Sequence, residues 1–552
     1  MTLVWAFGDR GHSGDMRTKR VTLTMALAAT AAVLVPMTAG AAPLHADRAG
    51  STPRTPTSVC SPVDVSAPHG ARVVSVTAEA RAAGTYTFPP SPLGAPDPIT
   101  DVPDWCDITV TLTHPGADDR VAVKVGLPQD RTLWTGRFQA VGGSAYQAGN
   151  FGAPLVQGVK DGYATASTDA GVGEAIDVSW ALTPDGGVNK PLLTNFASRS
   201  VHDLAVVGKD VTKKFYAKPA SYSYWNGCST GGRQGYLAAQ DYPRDFQGVL
   251  ADAPAVNWDR FAVATLWPQV VFHEEGVSPT KCELDAFNEA AVDACDTVDG
   301  VRDGIIDDPQ ACRWDPRELV GTQVDCGEQK VTISADLAEA VRKIWAGPVS
   351  TSGQKLWYGP NKGADFSSLA KPGEPFIVAD LWVKNFVERD LDLDTTALTY
   401  EQFEQIFRSS QQQFHDVIGS DDPDLSEFAH AGGKLLSWHG QADQLIPTQG
   451  TVDYRERVER RLGGSERVDR FYRLFLLPGV AHCGGGTGPQ ATDPLGALVN
   501  WVEKGKVPAT LATSATREDG TVVTRDVCSY PQRTRYTGGD AASASSYDCT
   551  RH

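Results

Sequence analysis

Short apolar runs alternate along this chain with stretches whose apolar residues recur every three or four positions. Val121 to Leu127, Phe138 to Val141 and Tyr163 to Ser167 read as strands, and Ser198 to Tyr216 carries apolar residues at helical spacing. A strand at Tyr222 to Asn226, a helix at Gly231 to Gln240 and a strand at Gly248 to Ala251 follow. A strand that reaches its neighbour through a helix pairs with it in parallel, so this order predicts an α/β sheet. The rhythm returns late, with strands at Lys434 to Trp438 and Phe471 to Leu477 separated by a helix around Thr451 to Arg461. Between Pro254 and about Phe428 it is lost, in a stretch rich in Trp, Asp, Gly and Cys. We read residues 256–428 as an inserted lid domain and residues 58–255 with 429–552 as the catalytic domain that carries the sheet; no internal repeat is visible.

The first residues follow a different logic. Arg17, Lys19 and Arg20 precede an apolar run from Val21 to Val35, and Ala39-Gly40-Ala41 offers a small-residue cleavage site. This is the pattern of a signal peptide over residues 1–41, and it predicts a secreted protein cleaved near Ala41. Met16 would begin a more ordinary signal of this kind. The alternative is a membrane anchor, but the run is shorter than the ~20 residues a bilayer span requires. The Ser/Thr/Pro-rich residues 42–57 predict a disordered linker.

Composition adds exclusions. The 552 residues are 41% hydrophobic, which places the chain among globular proteins. A net charge of −17 with no basic run argues against nucleic acid or an anionic membrane as partner. Export turns the ten cysteines into candidate disulfides, although spacing alone does not decide their pairing.

Candidate chemistry begins at Gly227-Cys228-Ser229-Thr230-Gly231, a G-x-S-x-G pattern standing between an apolar strand and a helix. Small residues flanking a serine let a strand turn sharply into a helix and lift the hydroxyl above the sheet edge. A plain turn is the competing reading. A nucleophilic serine needs an acid and a histidine, which follow it in that order in such sheets. Asp443 lies just past the strand ending near Trp438, and His482 just past the strand ending near Leu477. Asp443 as a cap for a helix near Pro447, and His482 as merely one of 11 histidines, are the alternatives. Cys228 precedes the serine and Cys483 follows the histidine. If serine and histidine are hydrogen-bonded, these neighbours could fall within the ~4.4 to 6.8 Å between Cα atoms that a disulfide needs.

Taken together, Gly227-Cys228-Ser229-Thr230-Gly231-Gly232-Arg233, His439-Gly440-Gln441-Ala442-Asp443 and His482-Cys483 resemble the tannase and feruloyl esterase family, which includes bacterial terephthalate-monoester hydrolases. Asp245-Phe246-Gln247-Gly248, the loop from Cys295 to Ile305, and Cys528-Ser529-Tyr530-Pro531 with Cys549 extend the resemblance over nearly the whole mature chain. It implies an α/β-hydrolase fold and a Ser229, Asp443, His482 triad. The implied oxyanion donors are the amides of Thr230 and Gly143. It further implies disulfides Cys60–Cys106, Cys228–Cys483, Cys295–Cys312 and Cys528–Cys549, which leaves Cys282 with Cys326. Two departures border the expected acyl pocket. Val141-Gly142-Gly143-Ser144-Ala145 replaces a run of glycines, and Val172 stands where the family commonly has histidine.

Asp296, Asp299 and Asp303 fall within eight residues, between glycines that permit sharp turns. Carboxylates this close repel unless a cation neutralises them. The resemblance implies structural calcium, with the carbonyls of Val301 and Ile305 completing the site, and no organic cofactor. A solvated acidic turn closed by Cys295 and Cys312 is the alternative.

The expectation is a secreted serine esterase acting on aryl acid esters, feruloyl or other hydroxycinnamoyl esters of plant polysaccharide first. Galloyl esters and terephthalate monoesters are the alternatives, and a catalytically silent binding protein is the rival from another class. Trp258, Phe261, Trp267, Phe272, Trp345, Trp357, Tyr358, Phe376, Trp382 and Phe386 supply aromatic surface in the insertion, most of it expected to be that segment's own core.

Overall fold

The computed structural model describes residues 59–90, 96–327 and 329–550. The expected signal peptide and linker lie outside the described residues. Nine strands form one sheet: β1 (Arg72–Arg81), β2 (Trp105–Thr113), β3 (Val121–Pro128), β4 (Arg137–Val141), β5 (Ala164–Thr168), β6 (Tyr222–Cys228), β7 (Gly248–Asp252), β8 (Lys434–Gly440) and β9 (Tyr472–Leu477). Their spatial order is β1-β2-β3-β5-β4-β6-β7-β8-β9. The first four in that order pair antiparallel, and from β5 onward every pair is parallel. This is the sheet of an α/β-hydrolase, and its parallel half carries the site.

The apolar runs become parallel strands because helices cover both faces. On one face, α2 (Ser200–Tyr216), α3 (Thr230–Asp241) and α9 (Thr448–Leu462) bury Val201, Leu204, Val207, Tyr236, Tyr454 and Val458 against Val123, Val125, Phe138 and Leu435. On the other, α1 (Ala153–Lys160) sets Leu155 and Val159 against Trp105. There α10 (Pro494–Lys504) packs Leu498 and Trp501 on Leu250, Leu436 and Phe475. Gly126 on β3 leaves room for α1, since a Cβ there would sit 2.6 Å from a Val159 methyl.

Strands β1 and β2 precede those read from the sequence. β1 is an edge strand, largely exposed, whose Arg, Glu, Ser and Thr residues hide the alternation of a half-buried strand. The insertion contributes no strand to the nine-stranded sheet. Its main helices are α4 (Trp258–Ala264), α5 (Trp267–Glu275), α6 (Lys281–Cys295), α7 (Ala335–Ala346) and α8 (Tyr400–Ile418). Their core of Trp258, Trp267, Phe287, Trp382, Phe386 and Phe403 is continuous with Tyr146, Trp180 and Phe196 from the loops above the sheet. The insertion is therefore seated on the catalytic layer through shared apolar packing. Five disulfides join Cys60–Cys106, Cys228–Cys483, Cys282–Cys326, Cys295–Cys312 and Cys528–Cys549.

Candidate active site

The carboxyl end of β6 runs directly into α3 through Ser229, whose backbone is held at φ 62°, ψ −122°. A non-glycine residue in that region costs of order 1–3 kcal/mol and persists only where its surroundings hold it. Here the Ser229 amide donates to the Asp252 carbonyl, 3.0 Å away at the end of β7, and the Ser229 carbonyl accepts from Arg233 and Ala255. The flanking glycines permit the turn: a Cβ on Gly227 would lie 2.6 Å from the backbone of Gly231. Arg233, one turn along α3, is fully buried and donates to the carbonyls of Phe196 and Ala197. Burial lowers its guanidinium to about 9.

Asp443 and His482 come from the loops after β8 and β9, whose close approach requires glycine at Gly440. A Cβ there would sit 2.1 Å from the Val480 carbonyl oxygen. His482 Nδ1 lies 2.8 Å from Asp443 Oδ2, which leaves Nε2 for the serine side. Asp443 is 1% exposed, while the His482 side chain retains 11%. Asp443 is not a helix cap. Its Oδ1 accepts from the amides of Leu445 and Ile446, both at 2.8 Å, and α9 begins beyond them. Burial by itself would raise the Asp443 carboxyl, but His482 and His439 outweigh it and hold the group well below the usual carboxylate range. The Cys228–Cys483 bridge, Cα to Cα 5.9 Å, fastens the residue before the nucleophile to the residue after the histidine. Elbow and histidine loop are thus one covalent unit.

The expected oxyanion donors divide. Thr230 opens α3, and its hydroxyl donates to the Ala145 carbonyl at 2.6 Å, bringing the loop after β4 against the elbow. The Gly143 amide, the other expected donor, is engaged here: it donates to Gln234 Oε1 at 3.1 Å, and the Gly143 carbonyl accepts from Gly231. Gly143 is a spacer that fits where a Cβ would collide with the Gln147 carbonyl at 1.9 Å. Gln234 also donates to Ala148, so this side chain props the loop at both ends. Among the described residues, the amides of Thr230 and Ala145 have no acceptor, and Ala145 adopts φ 45°. Hydropathy and motif gave no signal that the Gly143 amide would be engaged by Gln234.

His439, the first residue of the acid motif, also faces the Asp443 carboxylate. Fully buried at the end of β8, it places Nε2 2.9 Å from Asp443 Oδ2 and 3.1 Å from the Ile446 carbonyl, and Nδ1 2.8 Å from Thr451 Oγ1.

The aspartate loop forms a separate site. Asp296 Oδ1 accepts from the amides of Asp303, Gly304 and Ile305, and Asp299 Oδ1 from Val301. Arg525, from the strand Val522–Cys528, reaches in to pair with Asp303 and Asp307. Asp307 belongs to this cluster and lay outside the spacing read from the sequence. Among the described residues no three acidic, His or Cys side chains stand as a ready-made metal cluster. The donor set nevertheless fits a hard cation. Asp303 Oδ1 is buried without a partner, Asp299 and Asp307 are close enough to share a hydrogen bond, and the carbonyls of Val301 and Ile305 accept none among the described residues.

Of the insertion's aromatic residues, Trp258, Phe261, Trp267, Phe272, Trp357, Trp382 and Phe386 are core. Trp345 and Tyr358 line a recess of about 230 Å³ with Arg313, Lys355 and Lys362, but no triad residue lines it.

The chain is similar to known proteins in sequence and in fold. The family model described as "Tannase and feruloyl esterase" matches residues 106–550. A probable feruloyl esterase of Arthroderma benhamiae is 45% identical over 498 residues, covering 87% of this chain and 91% of that protein. Tannin acyl hydrolase from Aspergillus niger superposes with a TM-score of 0.78 at 25% identity, covering 88% of this chain and 92% of that one. Feruloyl esterase B from Aspergillus oryzae superposes with a TM-score of 0.74 at 27% identity, covering 88% and 97%.

Proposed function

The chain belongs to the tannase and feruloyl esterase family of carboxylic ester hydrolases, and from that premise we propose a secreted serine esterase that cleaves feruloyl and related hydroxycinnamoyl esters. The observation that carries the mechanism is the hydrogen bond of His482 Nδ1 to buried Asp443 beside a strained serine to which its loop is covalently tied. Ser229 Oγ attacks the ester carbonyl while His482 Nε2 takes its proton and Asp443 holds the imidazole. The amides of Thr230 and Ala145 are the proposed oxyanion donors. His482 returns the proton to the leaving alcohol and then activates the water that releases the acid.

The feruloyl choice rests on the Arthroderma relative, and the likeness to tannin acyl hydrolase makes galloyl esters the second reading. Five disulfides suit an oxidising compartment, and we assign export to the segment ending at Ala41. We assign calcium to the aspartate loop, held by Asp296, Asp299 and Asp303 with the carbonyls of Val301 and Ile305. It would neutralise carboxylates there and take no part in ester cleavage.

Two measurements test the reading. Ser229→Ala should fold and lose at least ~10³-fold in turnover, and near-native activity would overturn the mechanism. On methyl ferulate, methyl gallate, a terephthalate monoester and p-nitrophenyl butyrate, kcat/KM should be highest for ferulate. A clear preference for butyrate would end the aryl-ester reading and leave the triad standing.

A further inference from the structure

The oxygen of Asp443 that holds the triad histidine also serves a second histidine. Asp443 Oδ2 lies 2.8 Å from His482 Nδ1 and 2.9 Å from His439 Nε2. Both partners of His439 Nε2, the Asp443 carboxylate and the Ile446 carbonyl, can only accept, so this nitrogen carries the hydrogen. The opposite nitrogen, Nδ1, is then free to accept from the Thr451 hydroxyl at 2.8 Å. With the amides of Leu445 and Ile446 on Oδ1, the carboxylate receives four hydrogen bonds, two on each oxygen.

We infer that His439 is a positioning residue of the catalytic machinery: oriented by Thr451, it donates from Nε2 to Asp443 Oδ2 and fixes the direction and strength with which that oxygen holds His482. His439 is completely buried and cannot reach a substrate. It acts through Asp443 alone. The titratable groups facing this carboxylate are the two histidines, one from the end of β8 and one from the loop after β9. The carboxylate's remaining partners, the two loop amides, are neutral, as is the Thr451 hydroxyl of α9 that holds His439 Nδ1. A carboxylate deprived of one donor keeps more of its negative charge for the partner that remains. Losing His439 should therefore strengthen the hold on protonated His482 and raise the pH at which the base becomes available. It should also loosen the orientation of Oδ2 about the two amides that still hold Oδ1, which lowers turnover.

The inference rests on the triad assignment above, and its test is separable from that one. His439→Leu removes the donor, His439→Gln can return an N–H near the position of Nε2, and Thr451→Val removes only the hydroxyl that orients the ring. Active sites are counted by stoichiometric labelling with an organophosphonate, and kcat and KM on methyl ferulate are measured against pH. Per active site, His439→Leu should lose roughly tenfold or more in kcat with KM within about twofold. Its acid limb of kcat/KM should move up by about half a pH unit. His439→Gln should recover part of both changes, and Thr451→Val should shift both the same way by less. If His439→Leu does not fold, Thr451→Val decides. A variant that loses thermal stability while keeping the native kcat per site and the native acid limb would overturn the inference. Failure of the triad reading would appear instead as activity in Ser229→Ala.

Discussion

Asp443 shows how one buried charge organises a site. Its carboxyl is held below the usual carboxylate range because two histidines face it, despite burial. A depressed folded value contributes stability that is present above the unfolded carboxylate range and is lost as pH falls from there through the folded value. Asp443→Asn should therefore show a flatter decline of stability from about pH 4 downward than the native protein, read by thermal melts across pH. It should also lose roughly 10³-fold or more in turnover, since the amide cannot hold the imidazole in its working orientation. At this scale the sequence was informative about Ser229, Asp443 and His482, because each stands at the carboxyl end of a strand that hydropathy reveals. It was silent about the contact that engages the Gly143 amide, which depends on where the Gln234 side chain comes to rest. Asp307 and Arg525 escaped for a similar reason. They join the aspartate loop through a contact more than two hundred residues long in sequence, which no local pattern records.

Among the elements, those buried on both faces were legible and those at the margin were not. Most residues of strands β4 to β9 are buried, whereas β1 exposes most of its side chains and so has no apolar signature. The loss of rhythm between Pro254 and Phe428 matches a segment that adds no strand to the nine-stranded sheet, but how it packs is not written locally, because Tyr146 and Phe196 complete its core from distant loops. The covalent tie between elbow and histidine loop yields a prediction at this scale. Cys483→Ser should lower stability by roughly 2–5 kcal/mol, measured by denaturant unfolding. It should also lower kcat more than it raises KM, because the histidine loop gains freedom relative to the serine.

For the whole molecule, the aspartate loop is where a terminal strand meets the insertion. Arg525 is buried and pairs with Asp303 and Asp307, so Arg525→Gln should destabilise the protein by about 3–5 kcal/mol. If calcium occupies the loop, exhaustive chelation should lower the melting temperature, since an ion bound only by the folded state stabilises it by mass action. Turnover well below the transition should change little. An unchanged melt together with no metal by elemental analysis would leave Arg525 as the counter-charge of Asp303 and Asp307.

The five bridges are not equal in time. Four join cysteines between 17 and 46 residues apart, and the fifth spans 255. A chain made from its N-terminus therefore exposes Cys228 long before Cys483 exists, and the nucleophile is complete while its histidine is still unwritten. Until the last eighth of the polypeptide appears, the newborn chain carries a serine elbow with no histidine to serve it. Its histidine loop is fastened to the elbow in one late oxidation, so trapping thiols as the protein matures should find esterase activity rising to its full value with the closure of this single bridge.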